Sequence, residues 1–194
     1  MISKSLGLAL GLFLLSIPSS FALERRDRGE NQNHFLIAHV NPEVMRILNE
    51  MIEKNPNDPQ PYLQRGLAYN HLEEYQKAME DFNYVIALDP DNVDAYNFRG
   101  TMHYRLGNYE KALADYNQAL KLDKDYALLY FNRGYVKVEL GEIESAIADF
   151  EKGANLSKQQ GDLNTYQQAQ GLIEKVKISP DLIQPGSSNE EYHY

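Results

Sequence analysis

An all-α solenoid of helical hairpins is the fold this sequence predicts, and three observations carry the prediction. The stretch 93–126 occurs three times: Arg99-Gly100 recurs as Arg65-Gly66 and as Arg133-Gly134, 34 residues away on either side. The same shift holds Leu72, Leu106 and Leu140, then Ala78, Ala112 and Ala146, then Asp81, Asp115 and Asp149 in register. Aromatic positions keep the spacing too, as Tyr62, Tyr96 and Tyr130 and as Phe82, Tyr116 and Phe150. A fixed period of about 34 residues is what a stacked helix–turn–helix unit leaves in a sequence.

The pattern aromatic–x3–Gly–x5–Leu–Gly–x–Tyr–x2–Ala–x3–aromatic resembles the tetratricopeptide repeat (TPR), and the signal segment described below makes the resemblance one to exported bacterial members. Copies run over 59–92, 93–126 and 127–160, a little over half of the chain. The resemblance implies a right-handed helix–turn–helix solenoid of three TPR repeats, with N- and C-terminal capping helices. A fold of this kind hosts many functions, so function has to be argued from faces and residues.

Taken in order, the chain opens on Met1-Ile2-Ser3-Lys4, an uncharged apolar run from Leu6 to Ile17, and small residues at Ser20 and Ala22. That layout is a secretory signal peptide over 1–22, and an apolar run of this length is too short to span a membrane well. Export to a periplasmic, lumenal or secreted location is therefore expected, with retention as an anchor the alternative. Residues 23–40 read as a linker whose charged start, Glu24 to Glu30, buries little. Its last part, His34 to Val40, is apolar. Asn41, Pro42 and Glu43 are helix-start residues, and Val44, Ile47, Leu48, Met51 and Ile52 follow at helical spacing. Residues 41–56 thus form a capping helix or half-repeat.

The three copies predict paired helices at 59–72 and 75–88, 93–106 and 109–122, and 127–140 and 143–156. Gly107 and Gly141 stand where a left-handed residue ends the first helix, whereas copy 1 has Glu73. With the two helices antiparallel, Gly100 faces Tyr116, and its missing side chain admits the ring. Gly153 replaces Ala119 of the copy before, at about 1 kcal/mol in a helix interior. Residues 161–178 form a C-terminal capping helix with Leu163, Tyr166, Ala169, Leu172, Ile173 and Val176 on one face, as a solenoid end requires. Residues 179–194, with two prolines and Gly186-Ser187-Ser188, read as a disordered tail.

Arg65, Arg99 and Arg133 allow two readings: a cationic clamp for an acidic ligand, or internal pairs with Asp81, Asp115 and Asp149. Pairing accounts for both columns at once and is the reading adopted.

The formal net charge of −9, with no basic cluster, argues against nucleic acid. Removing residues 1–22 takes away one lysine and no acidic residue, making it −10. There is no cysteine, which removes disulfides, thiolate metal sites and cysteine nucleophiles. His34, His39, His71, His103 and His193 have no metal-site spacing, and no nucleophile elbow or phosphate loop occurs. No catalysis, cofactor, metal or small-molecule substrate is expected, and a membrane is met only through a partner.

What the resemblance implies is a concave groove lined by the first helices, holding a peptide or partner helix. Carried over column by column, that groove is Leu63, Leu67 and Asn70, then Asn97, Thr101, Tyr104 and Arg105, then Leu128, Phe131 and Tyr135. Its apolar and aromatic strip suits a protein partner. The chain's own His34–Val40 or Leu182-Ile183 covering that strip is the competing occupant. The clamp that some family members use for C-terminal carboxylates is absent, since Leu63, Leu67, Leu128 and Asn132 stand where its Lys, Asn and Arg would be. The function expected is an adaptor assisting assembly of an envelope or membrane complex, with homo-oligomerisation as the alternative.

Overall fold

The computed structural model describes residues 42–178, and among these it has eight helices and no strand. The expected signal peptide, the linker 23–40, Asn41 and the tail 179–194 lie outside the described residues. Helix α1 spans Pro42–Lys54. Three hairpins follow, α2 (Pro59–His71) with α3 (Tyr75–Leu88), α4 (Val93–Arg105) with α5 (Tyr109–Leu122), and α6 (Ala127–Glu139) with α7 (Ile143–Gln159). Helix α8 (Leu163–Ile178) packs on α7. Residues 42–178 therefore form a helix–turn–helix solenoid of three hairpins with a further helix at each end.

Local chemistry sets most boundaries. The Asp58 carboxylate accepts from the Gln60 N–H at 3.0 Å with Pro59 at the first position, and the Asn92 side chain accepts from the Ala95 N–H at 3.0 Å. Gly107 and Gly141 adopt φ of +72° and +75°, and the next residue reaches back five positions to cap the helix, as in Asn108 N–H to His103 C=O at 2.8 Å. Copy 1 makes the same turn without glycine: Glu73 sits at φ +58°, and the Glu74 N–H reaches the Tyr69 carbonyl at 2.9 Å.

One second helix exceeds its expected length. Helices α3 and α5 stop at Leu88 and Leu122 because Asp89 and Asp123 capture the N–H two residues on, at 3.3 and 3.0 Å. The third copy has Ser157 in that column, so α7 runs on to Gln159 rather than stopping at 156 and turns at Gly161, φ +85°.

Each hairpin core is a ring against a bare backbone. A Cβ added to Gly66, Gly100 or Gly134 would lie 2.6, 2.9 or 2.5 Å from the ring of Phe82, Tyr116 or Phe150. All three rings are buried. Gly153 has a packing reason of its own, since a Cβ there would meet the Phe131 ring at 3.0 Å and the Ala127 carbonyl at 3.1 Å. The third copy trades helix propensity for room to seat a ring where the other copies have Leu63 and Asn97.

Candidate functional site

The first helices form one layer, and the second helices hold it in place through a repeated polar joint. Arg65 donates from Nε and Nη2 to the two Asp81 oxygens at 2.9 and 2.6 Å; Arg99 does so to Asp115 at 2.9 and 2.6 Å, and Arg133 to Asp149 at 2.8 and 2.7 Å. The acceptors are buried and the arginines partly so. The hydrogen-bonded carboxylates raise each guanidinium pKa above its ordinary value. Two-point geometry of this kind commits the Nε and Nη2 donors of each guanidinium and leaves no clamp for an external acid; at Asp149 the Lys137 ammonium joins at 2.7 Å.

Each arginine has one further nitrogen, and it reaches backward. Nη1 of Arg65, Arg99 and Arg133 donates to the side-chain oxygens of Asn49, Asn83 and Asn117 at 2.7, 2.8 and 2.7 Å. Every joint therefore ties a hairpin to the helix preceding it. Each guanidinium also lies over the tyrosine three residues before it, Tyr62, Tyr96 or Tyr130, at 5.5 to 5.6 Å. Sequence reading missed the asparagine column, although Asn49, Asn83 and Asn117 keep the 34-residue shift and were legible by the same test.

The groove expected over the first helices is smaller than the columns implied. Leu63, Leu67 and Phe131 are 7%, 6% and 8% exposed, and Asn97 is 1% exposed. Leu63 and Leu67 pack with Ala78, Phe82, Ala95 and Met102, so the first hairpin and its neighbour consume them. Phe131 fills the space over Gly153 and stands 6.4 Å from Phe150. Asn97 accepts a hydrogen bond from Asn132 Nδ2 at 2.9 Å, linking α4 to α6 inside the layer. These four residues belong to the core, because close spacing of successive first helices buries whatever points along the stack.

The surface that remains is Asn70, Thr101, Tyr104, Leu128 and Tyr135, all half-buried, with Arg105 exposed. Thr101 donates to the Asn97 carbonyl at 3.0 Å and lies 3.1 Å from the Tyr116 hydroxyl. The Tyr104 and Tyr109 hydroxyls each donate to Glu139 at 3.3 Å, fixing the rim between the second and third copies. Burial, with the Glu139 charge beside it, pushes the Tyr104 hydroxyl pKa up. Arg105 lies over the Tyr75 ring at 5.6 Å and donates to its hydroxyl at 3.3 Å, bridging the first two copies. Tyr135 sets its edge against Phe150 at 5.2 Å.

Among the buried polar atoms, Gln64 Oε1, Asn70 Oδ1, Asn97 Nδ2 and His103 Nδ1 have no hydrogen-bond partner. All four sit on first helices, closed off from solvent within the layer. No group of three or more His, Cys, Asp or Glu suited to a metal occurs among the described residues, and none of their helices is long and apolar enough to cross a membrane.

Known sequences bear on this arrangement directly. Models described as tetratricopeptide repeat match residues 34–99 and 127–160, and one described as TPR repeat matches 100–141. The chain is a tetratricopeptide repeat protein. No curated protein matches it. Solved TPR structures share its fold at low identity. The TPR2B domain of yeast Sti1, in a complex with pHsp70, is 17% identical with a TM-score of 0.59, over 62% of this chain and 96% of that one. PcrH in complex with the chaperone binding region of PopD is 18% identical with a TM-score of 0.56, over 73% and 97%. The first TPR of Spaghetti (RPAP3), bound to the HSP90 peptide SRMEEVD, is 22% identical with a TM-score of 0.55, over 62% and 90%.

Proposed function

We propose that this TPR protein is a non-catalytic adaptor that holds a peptide or partner helix against its layer of first helices. The observation that carries the reading is the half-exposed row Asn70, Thr101, Tyr104, Leu128 and Tyr135. Such a row offers apolar and aromatic area for a partner's anchor side chains. The TPR structures described above that hold a peptide or partner segment support the same use of this fold. An acidic C-terminal peptide is not the partner expected, because Leu63, Leu67 and Leu128 stand where basic and amide side chains would grip its carboxylates.

The apolar run at 6–17, flanked by Lys4 and by Ser20 and Ala22, supports export, and assembly of an envelope or membrane complex is the adaptor role that suits an exported chain. Site-specific photocrosslinking in the native cell tests the adaptor reading. A crosslinker at Thr101 or Leu128 should yield one dominant adduct, and one at exposed Lys121 on α5 should not. Equal adducts from both faces, or none from either, would sink it. Phe131→Ala is a poor probe of binding, since it opens the core of the third hairpin.

A further inference from the structure

A second joint between copies runs along the hairpin tips, and its residues change from copy to copy where those of the arginine joint do not. Tyr75, Tyr109 and Ile143 begin the three second helices, and the residues 30 positions on are Arg105, Glu139 and Ile173. Arg105 lies over the Tyr75 ring, Glu139 accepts from the Tyr109 hydroxyl, and Ile143 and Ile173 share one apolar cluster. The same place in the solenoid thus takes a cation, a carboxylate and an apolar side chain in turn. Apolar side chains suffice to join copies at the last of these, so cohesion alone does not account for opposite charges at the first two.

Both charges are exposed, and each is held by neutral groups of the preceding copy. Arg105 donates to the Tyr75 hydroxyl, while Glu139 Oε1 and Oε2 accept from Tyr104 and Tyr109 at 3.3 Å. Arg105 is therefore turned away from Glu139, and the two do not neutralise each other. Near Tyr75, Glu74 is already paired with Lys77. A carboxylate has about four acceptor sites, so two hydroxyl donors leave room for a cation. Fixing a long side chain costs rotamer entropy, and here folding has already met that cost, so both charges are preorganised for a counter-charge. They also stand on the binding row. Thr101, Tyr104 and Arg105 lie at i, i+3 and i+4 on α4, and Leu128, Tyr135 and Glu139 at i, i+7 and i+11 on α6. Asp94, also exposed, lies three turns from Arg105 at the opposite edge.

We propose that the partner segment held on this row is an amphipathic helix with an acidic and a basic residue one heptad apart, the acid meeting Arg105 and the base meeting Glu139. The adaptor reading above is the premise; the partner's charge pattern is what is added to it. Helices α4 and α6 touch through the Asn132–Asn97 hydrogen bond, and helices in contact lie about 8 to 10 Å apart. Seven residues of an α-helix span about 10 Å and return to the same face. An extended chain covers that distance in about three residues, with its side chain turned to the other face. Residues three and four places along the bound helix then face Tyr104, where apolar side chains fit. Acid toward α4 and base toward α6 also set the direction of the bound helix, since the reverse would place like charges together. The chain's own apolar segments do not carry the pattern: residues 34–40 contain no acidic residue, and 179–194 contain no lysine or arginine.

Photocrosslinking from Thr101 in the native cell tests this, with the adduct quantified in charge variants and the joined segment sequenced by mass spectrometry. Glu139→Gln removes the charge but keeps an acceptor for a tyrosine hydroxyl, and should lower the adduct about twofold to fivefold. Glu139→Lys and Arg105→Glu set like charges together and should each lower it about tenfold or more. Glu80→Lys, a reversal at an exposed site on α3, should leave it unchanged. If a reversal also lowers the thermal midpoint, Glu139→Gln still reads the charge alone. The joined segment should carry an acidic and a basic residue seven positions apart. An adduct indifferent to the Glu139 and Arg105 variants, an equal loss with Glu80→Lys, or a partner segment without that pattern would overturn the charge pattern and leave the adaptor reading standing. A joined segment from this chain itself, or no adduct from the protein without charge changes, would overturn both.

Discussion

Helix α8 and helix α1 both flank the hairpins, yet only one behaves as a lid. Helix α8 buries Ala169, Ile173 and Val176 in one cluster with Phe131, Phe150 and Ala154, and turns Gln167, Gln168, Gln170 and Glu174 outward. Helix α1 buries Leu48 alone. It is tied instead by the polar joint from Asn49 to Arg65 and by Ile52 against the first-copy core. A solenoid end is thus closed by the polarity of its outer columns rather than by the presence of one more helix. The α1 end keeps apolar outer columns, with Ile47 half-buried and Met51 exposed.

The sharpest test removes one apolar side chain from each end. Ile173→Ala should cost about 3 kcal/mol, read from the urea midpoint, because it opens a cavity in the packed cluster. Met51→Ala should cost less than about 1 kcal/mol, since Met51 is 41% exposed and belongs to no packed cluster. Equal losses would mean that α1 is as well packed as α8, and the comparison would fail.

Next come two glycines, one in a hairpin and one in the lid. Gly134→Ala forces a methyl group to within 2.5 Å of Phe150 and should destabilise by about 1 to 3 kcal/mol. Gly171→Ala meets nothing within 4 Å, so it should gain about 1 kcal/mol from helix propensity. A loss at both sites would show that α8 packs more tightly than its open surroundings imply.

The hairpin corners give a smaller contrast. Glu73 holds a left-handed backbone that Gly107 and Gly141 adopt without steric cost, so Glu73→Gly should stabilise by about 0.5 to 1 kcal/mol in thermal denaturation. Gly141→Ala should lose a similar amount.

The smallest effect is a pH dependence in the middle hairpin. Burial lowers the His103 pKa below its ordinary 6.5, against the pull of Asp115. The unfolded chain therefore takes the proton first as pH falls. Stability from the neutral ring is full above 6.5, declines as pH drops below it, and levels off under the folded pKa. His103→Gln should flatten that stretch of the stability–pH curve by a few tenths of a kcal/mol. An unchanged curve would assign the dependence to other groups.

Legibility followed the reach of each interaction. Gly66 facing Phe82, and Arg65 reaching Asp81, span a single hairpin, whose antiparallel geometry follows from sequence spacing alone. The length of α7 was misjudged because its end turns on the side chain at 157, where serine does not reproduce the aspartate turn. Burial of Leu63, Leu67, Asn97 and Phe131 was not legible, since it depends on how closely α2, α4, α6 and α8 approach one another. Spacing within a copy says nothing about the distance between copies.

By itself the sequence determined the repeat, its period and its family, because a column held through three copies records one hairpin geometry three times. It also determined which helices flank the hairpins, through the runs of apolar residues beyond the outer copies. Tertiary structure alone decided which first-helix residues are buried in the stack and how much apolar surface each flanking helix covers. Both are questions of area left uncovered, and that depends on contacts between segments with no fixed relation along the chain.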